Sequence, residues 1–256
     1  MIKKFFLLIS LCLFSNVLWA AEEISTEALH PKHLNWEFEG VFGRIDKASV
    51  QRGYQVYKEV CSACHSMKLF AYRNLQDVGF LENEVKQIAS EYMVTDGPDD
   101  SGEMFERPAL PSDHFVSPFA NEQAARAANG GALPPDLSLI VKARHSGPDY
   151  LYSILTGYAE APDGFQMNEG KYYNPYFPGR QISMPPPLPD DGVVEYQGGT
   201  IATREQMAID VVNFLQFVAE PEMEARKKMG LKAMIFLAIM TILFMVANKM
   251  IWKKVK

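Results

Sequence analysis

Cys61, Cys64 and His65 stand in the run Cys61-Ser62-Ala63-Cys64-His65. Two thiols separated by two residues fall on one short turn. From that turn both sulfurs reach the edge of a single porphyrin and can add to its two vinyl groups as thioethers. The adjacent imidazole then lies under the ring, where it can bind iron as the proximal ligand. The spacing is the attachment signature of a c-type haem. Two other chemistries share part of it. A thioredoxin-like Cys-x-x-Cys pair needs a βαβ setting, and none is readable around these residues. A zinc site needs a fourth ligand at suitable spacing, which two cysteines and a histidine lack.

Iron bound by His65 has a second axial position. The exported segment offers His30, His33, His114, His145 and several methionines. Met184 is the best placed, in Ile182-Ser183-Met184-Pro185-Pro186-Pro187, because three prolines fix φ and stiffen the loop beyond it. A thioether is a weak, soft ligand that a rigid loop helps to hold, and Met/His ligation raises the potential. A loop methionine is equally an ordinary gap filler, and spacing alone does not separate the two readings.

The elements around these residues begin and end at a membrane. Lys3 and Lys4 precede an apolar run from Phe5 to Leu13, and Leu18-Trp19-Ala20 precedes a plausible cut before Ala21. Residues 1–20 therefore read as a bacterial secretory signal. Cys12, the third cysteine, lies inside it, and Leu11 is too large to precede a lipidated cysteine. The mature chain then keeps only Cys61 and Cys64, and export suits thioether attachment outside the cytoplasm. At the other end, Ala233 to Ala247 is apolar apart from Thr241, and Leu231 to Trp252 extends it past Lys232 and Lys249. Lysine stems can snorkel and Trp252 can sit at the interface, so residues 226–252 read as a transmembrane anchor. A buried core helix is the other reading of such a run. Flanking positive charge is nearly balanced, so the signal sets orientation: residues 21–225 periplasmic, 253–256 cytoplasmic.

Roughly 200 residues lie between the two segments, enough for one domain with its own core. The 25 Lys and Arg and 31 Asp and Glu give the chain a net charge of −6. Ten of the basic residues are Lys3, Lys4 and the eight from Arg226 onward, where no acid lies, so the exported domain carries −16. That balance argues against nucleic acid and suits a basic protein partner met by electrostatic steering. Glu82, Glu84, Asp96, Asp99, Asp100, Glu103 and Glu106 cluster in one stretch and are the candidate docking residues. A solvated surface is the bland reading of any one of them.

Short helices joined by proline-rich loops are predicted, with no sustained strand alternation. Asp46 to Val60 places Val50, Tyr54, Tyr57 and Cys61 on one face and delivers the chain into the Cys-His run. Further helices are expected over Glu82–Tyr92, over Asn121–Asn129 with Asn121 as cap and Gly130 as stop, and over Asp149–Thr156, closed by Gly157. Thr203-Arg204-Glu205-Gln206 matches a capping box and opens a helix whose apolar face is Met207, Val211, Phe214, Leu215 and Val218, ending before Pro221. A first helix before the haem motif and a last one able to cross it make the expected fold mainly α, a class I cytochrome c-like domain with long loop insertions plus one C-terminal transmembrane helix.

From Trp36 to Lys232 and through the anchor, the chain resembles the cytochrome c1 family, the haem subunits of ubiquinol–cytochrome c reductase (bc1) complexes. The resemblance rests on Arg52-Gly53-Tyr54-Gln55-Val56-Tyr57, Cys61 through Tyr72, Asp96-Gly97-Pro98, Gly102-Glu103-Met104-Phe105 and Ala124 through Ala128. It continues through Gly131-Ala132-Leu133-Pro134-Pro135-Asp136-Leu137-Ser138, Ala143-Arg144-His145, Leu155-Thr156-Gly157-Tyr158, Asn174-Pro175-Tyr176-Phe177-Pro178-Gly179 and Met184-Pro185-Pro186-Pro187. It implies one covalent haem c on Cys61 and Cys64, with His65 and Met184 axial. It also implies that Arg144 pairs with a haem propionate and that Ala132, Pro134, Pro135 and Tyr150 line the pocket. Asn129-Gly130-Gly131 stands where relatives often have two asparagines before one glycine, which removes any role for an Asn side chain at position 130.

The function so implied is one-electron relay from a Rieske iron–sulfur protein to a soluble or membrane-held cytochrome c. It would take place beside cytochrome b, in a dimeric complex of the bacterial cell membrane. No general base, nucleophile or substrate pocket is readable, so turnover would belong to the complex. A stand-alone membrane-anchored cytochrome c feeding a terminal oxidase is the nearest alternative. A haem enzyme such as a peroxidase would need an open iron position.

Overall fold

A computed structural model describes residues 27–189 and 193–253. The expected signal segment and the last three tail residues lie outside them. The described chain enters in an extended segment that buries Trp36 and Phe38, stacked at 5.5 Å. Asp46 then caps α1 (Lys47–Val56), its carboxylate accepting from the N–H groups of Ala48 and Ser49. The helix continues past Val56 but widens into a π-helical turn, Tyr57–Cys61, in which the Ser62 N–H bonds the Tyr57 carbonyl at 2.8 Å. Such single wide turns gather at functional sites, and this one sets the rotation at which the chain leaves the helix for Cys64 and His65.

A 3-10 segment (Tyr72–Val78) leads to α2 (Glu82–Ser90), which buries Val85 and Ala89. Next comes a hairpin of β1 (Met93–Asp96) and β2 (Phe105–Pro108), paired antiparallel from Met93–Pro108 to Asp96–Phe105. Asn121 caps α3 (Glu122–Ala128) by accepting from the Ala124 N–H at 2.9 Å. Gly130 beyond it sits at φ +58°, a left-handed position that glycine adopts without strain. α4 (Gly147–Thr156) ends at Gly157. A second hairpin, β3 (Tyr172–Tyr173) with β4 (Gln181–Ile182), immediately precedes Met184. The two hairpins are absent from the sequence reading because strands of four and two residues are too short to register alternation.

α5 (Arg204–Ala219) begins at Thr203, whose hydroxyl accepts from the Gln206 N–H at 3.2 Å. The reciprocal arm of the expected capping box is replaced: the Thr203 N–H bonds the Ile201 carbonyl instead. The predicted apolar face is buried, but so are twelve of the helix's residues in all, Asp210, Asn213 and Gln216 among them. α5 is thus a central helix, wrapped by α1, α4 and the aromatic side chains of the haem-motif region. Phe214 meets Tyr54 at 5.7 Å, Tyr57 at 5.6 Å and Phe70 at 6.0 Å.

α1 and α5 cross at Gly53. A Cβ there would lie 1.9 Å from the Asp210 carbonyl oxygen and 2.8 Å from Phe214 Cβ. Beside the crossing, fully buried Asp210 accepts from Arg52 Nε and Nη2 (2.9 and 2.8 Å) and from Ser49 Oγ (2.6 Å). Ser49 in turn accepts from Asn213 Nδ2 at 2.8 Å. A buried carboxylate is tolerated only when paired and hydrogen-bonded, and three donors meet that condition here.

The last helix, α6 (Met223–Lys253), settles the choice between core helix and anchor. Its apolar window has a mean hydropathy of 2.3, and none of that window is buried against the rest of the chain. At about 1.5 Å per residue, 31 residues exceed the roughly 30 Å hydrocarbon core of a bilayer. Among the described residues it is the one helix long and apolar enough to cross a membrane, and it fits a single-pass anchor.

Gly53→Ala should push α1 and α5 apart. The expected cost is about 1–3 kcal/mol, read as a thermal midpoint lowered by roughly 2–4 °C per kcal/mol for a domain of this size. An unchanged midpoint would mean that the crossing relaxes freely.

Candidate functional site

The π-turn ends at the haem motif, and the N–H groups of Cys64 and His65 both bond the Cys61 carbonyl, at 3.1 and 2.9 Å. Cys61 and Cys64 are therefore on one tight turn, both unpaired, with Cys61 half-buried and Cys64 exposed. Burial pushes the Cys61 thiol up to about 12. It is a thiol at neutral pH, unlike the thiolate that a disulfide-exchange pair requires.

His65 donates from Nδ1 to the Pro135 carbonyl at 2.8 Å. That bond fixes the tautomer and leaves the Nε2 lone pair free for a metal. Burial lowers the His65 pKa, outweighing the opposite influence of the Pro135 bond and of Asp136, so the ring is held neutral as iron ligation requires. The donor set is an oriented imidazole with two thiols on the preceding turn. It fits a c-type haem.

The Pro135 carbonyl is itself held in place. Asp136 accepts from Ser66 Oγ (2.8 Å) and the Lys68 N–H (2.9 Å) on one oxygen, and from the Ser138 N–H (2.9 Å) on the other. The Leu137 N–H bonds the Ser66 carbonyl at 2.8 Å, and the Leu69 N–H bonds Ser138 Oγ at 3.1 Å. The segment after the motif and the segment after the paired prolines are laced together, with Met67 fully buried between them. Sequence reading picked out Pro134 and Pro135 but not Asp136, whose signal was only its place directly after them. Ala132 and Pro134 are half-buried and Pro135 is exposed beside His65.

A second group gathers around Met184. Tyr158 donates to the Met184 carbonyl at 3.0 Å, and Lys171 Nζ bonds the neighbouring Ser183 Oγ at 2.5 Å. Asn174, fully buried, donates to the Ile154 carbonyl at 2.8 Å and ties the β3–β4 hairpin to α4. Tyr158 interacts with Tyr150, and Tyr150 with Arg144. Burial raises both phenols, so each stays a neutral O–H donor. The segment 136–143 joins this group to the His65 group. Arg144 is exposed, its guanidinium donating to the Ala143 carbonyl at 3.1 Å. Tyr158 was missed as a positioning residue because its partner lies 26 residues on.

Of the four rival histidines, one is engaged through its side chain and another through its backbone. His33 Nδ1 bonds Asp149 at 2.8 Å, and Asp149 also accepts from Trp36 Nε1 at 2.7 Å. His114 pairs with Ala71 in an isolated β-bridge.

The acidic cluster divides. Glu82 pairs with Lys86, Glu84 caps the Leu81 N–H, and Asp96 joins Asp113 on Arg107. Asp99 closes its own turn on the N–H groups of Ser101 and Glu103. Asp100, Glu103 and Glu106 are exposed and pair with no cation among the described residues. They lie close in sequence to exposed Met104 and Phe105 at the end of the hairpin, 60% and 44% accessible.

The comparisons agree with this chemistry. The family model described as Cytochrome C1 family matches residues 36–255. Cytochrome c1 of Rhodospirillum rubrum is 51% identical over 238 residues, covering 87% of this chain and 87% of that protein. A mitochondrial cytochrome c1 heme protein of Arabidopsis thaliana is 48% identical over 243 residues, 95% of this chain and 78% of that one. The mitochondrial cytochrome b-c1 complex catalytic subunit of Candida albicans is 51% identical over 229 residues, 89% and 79%.

Asp136→Ala strands the buried Ser138 N–H and loosens the Pro135 carbonyl, at a cost of about 1–3 kcal/mol. Burial raises the Asp136 pKa, but bonds from Ser138, Lys68 and Ser66 outweigh it and hold the carboxyl below the usual range. Its contribution is therefore present above about pH 4 and lost as pH falls through the depressed value. Denaturant unfolding of wild type and variant should differ at pH 7 and converge under acid conditions.

Proposed function

The chain belongs to the Cytochrome C1 family, and from that premise we propose that it is the one-electron carrier of a ubiquinol–cytochrome c reductase complex. It would take electrons from a Rieske iron–sulfur protein and pass them to a soluble or membrane-held cytochrome c. The observation that carries the reading is His65, held by Pro135 with Nε2 free on the turn that presents Cys61 and Cys64. Membership of a complex with cytochrome b is supported by the Candida relative, named as a subunit of a cytochrome b-c1 complex, and in this reading the complex is dimeric. The exported domain is periplasmic in this reading. Residues 1–20 are its signal and the end of α6 faces the cytoplasm.

A c-type haem supplies a one-electron iron couple when bound. Cys61 and Cys64 would hold it by thioether bonds, one haem per chain. His65, kept neutral by burial and aimed by Pro135, whose carbonyl is fastened through Asp136, would bind its iron. Met184, on a loop stiffened by Pro185–Pro187 and tied down by Tyr158, would be the second ligand. Arg144 would compensate a propionate with a fixed cation, since guanidinium stays charged under all working conditions. Ala132, Pro134, Pro135 and Tyr150 would line its pocket. The chain contributes no substrate-turnover site of its own; turnover belongs to the complex. Asp100, Glu103 and Glu106 draw in the acceptor cytochrome c, with Met104 and Phe105 as its apolar contact.

Met184→Leu keeps the volume and removes the sulfur. The variant should still carry stainable covalent haem on a denaturing gel, bind carbon monoxide when reduced, and lose potential sharply. An unchanged six-coordinate spectrum would assign the ligand elsewhere. Loss of stain in a Cys61→Ala/Cys64→Ala chain is the control for covalent attachment.

Neutralising Asp100, Glu103 and Glu106 together tests the docking site. Screening lengths fall from about 10 Å at 0.1 M salt to about 3 Å at 1 M. Wild-type electron transfer to cytochrome c should slow with added salt, and the triple variant should be slow at low salt and nearly salt-independent. A rate indifferent to both changes would remove these acids from docking.

A further inference from the structure

Lys227 on the first turns of the anchor donates Nζ to the carbonyls of Phe38 and Gly43, the latter at 3.2 Å. One turn nearer the ectodomain, Glu224 accepts from the Ile45 N–H at 3.1 Å. The chain between these contacts is a closed turn, with the Arg44 N–H bonded to the Glu37 carbonyl at 3.0 Å and the Gly43 N–H to the Gly40 carbonyl at 3.4 Å. It therefore runs beside α6 in a definite direction. Ile45 is level with Glu224, Gly43 with Lys227, and the tip, residues 40–42, continues toward the apolar part of the helix.

Leu231, where that part begins, lies four residues past Lys227, about 6 Å along the axis. Val41 and Phe42 form the apex of the turn closed by Gly40 and Gly43, on the side of it that faces away from Glu224. Both are among the most exposed apolar side chains outside the anchor, at 61% and 80%, whereas Phe38 at the base of the same turn is buried. Arg44 beside the tip and Arg226, Lys228 and Lys232 on the first turns of α6 are exposed, basic side chains of the kind that meet phosphate headgroups.

We propose that the Val41–Phe42 tip inserts into the headgroup–acyl boundary of the leaflet on the ectodomain side. There it is a second, short membrane contact beside α6. The occupant is lipid: the surface is continuous with a helix that is itself lipid-exposed, and basic side chains lie on both. One helix alone leaves a domain free to pivot about its root, and a second contact offset from the axis stops that tilt.

The photo-crosslinking amino acid benzoylphenylalanine, placed at position 42 and separately at 41 of the full-length chain in native membranes, tests this directly. Irradiation should add the mass of one phospholipid, as the same probe at Phe236 within the anchor must do. An adduct to another polypeptide would make the tip a subunit contact and overturn the proposal. No adduct at either position, with the Phe236 probe reacting, would place the tip in water and overturn it equally.

Discussion

α1 and α5 can approach as closely as they do only because residue 53 has no side chain, and everything that holds the haem motif hangs from that crossing. The motif is the direct continuation of α1, through the π-turn, so its position is that of the helix. α5 supplies Phe214, against which Tyr54, Tyr57 and Phe70 pack from before and after the motif. A rotation of either helix would move the Cys61–His65 turn and its packing together. The polar network beside the crossing makes that rotation difficult. Asp210 faces Arg52 and Ser49 only in one register, and a one-residue slip would leave a buried carboxylate without its donors, a penalty larger than most packing errors.

Past the crossing, the site is built from loops, and loops need a different kind of restraint. Regular elements satisfy their own backbone groups; the segments around His65 and Met184 cannot. Their restraint comes from side chains that bond backbone groups, Asp136 holding two N–H groups around His65, and Tyr158 with Asn174 holding three backbone groups around Met184. This is economical for a ligand cleft. The backbone can take whatever path the cofactor requires, and a few buried or half-buried polar groups hold it there. The cost is sensitivity, since losing one such residue strands several hydrogen-bonding groups at once.

That division explains what was legible in the sequence. The Cys61–His65 run is legible because a haem-attachment signature consists of residue type and spacing within five consecutive positions. The helix caps at Asn121 and Thr203 are legible because a cap is local. Asp136 and Tyr158 are not, because the contacts that define their roles span 70 and 26 residues. The π-turn escapes periodicity analysis because one wide turn shifts the apolar stripe by less than a residue. α5 reads as amphipathic because Asp210, Asn213 and Gln216 look like a solvent face. Their burial follows from partners that only the tertiary fold supplies. The acidic stretch reads as one surface, although Glu82, Glu84, Asp96 and Asp99 are occupied in holding their own backbone or pairing with cations.

The same logic extends to the join between domain and anchor. Pro221 forces a break between α5 and α6, and a bare break would be a hinge. Glu220, at the end of α5, accepts from Arg226 on α6 and lies 3.5 Å from Lys142, in the segment that links the two halves of the site. Glu224 and Lys227 bind the turn before α1. The first two turns of the anchor are thus tied to the beginning, the middle and the end of the domain that precedes it. Each of these ion pairs and hydrogen bonds is modest alone. Because they reach three separate parts of the domain, bending at the break would have to disrupt all of them together, and the height and tilt of the haem motif over the membrane follow from the anchor.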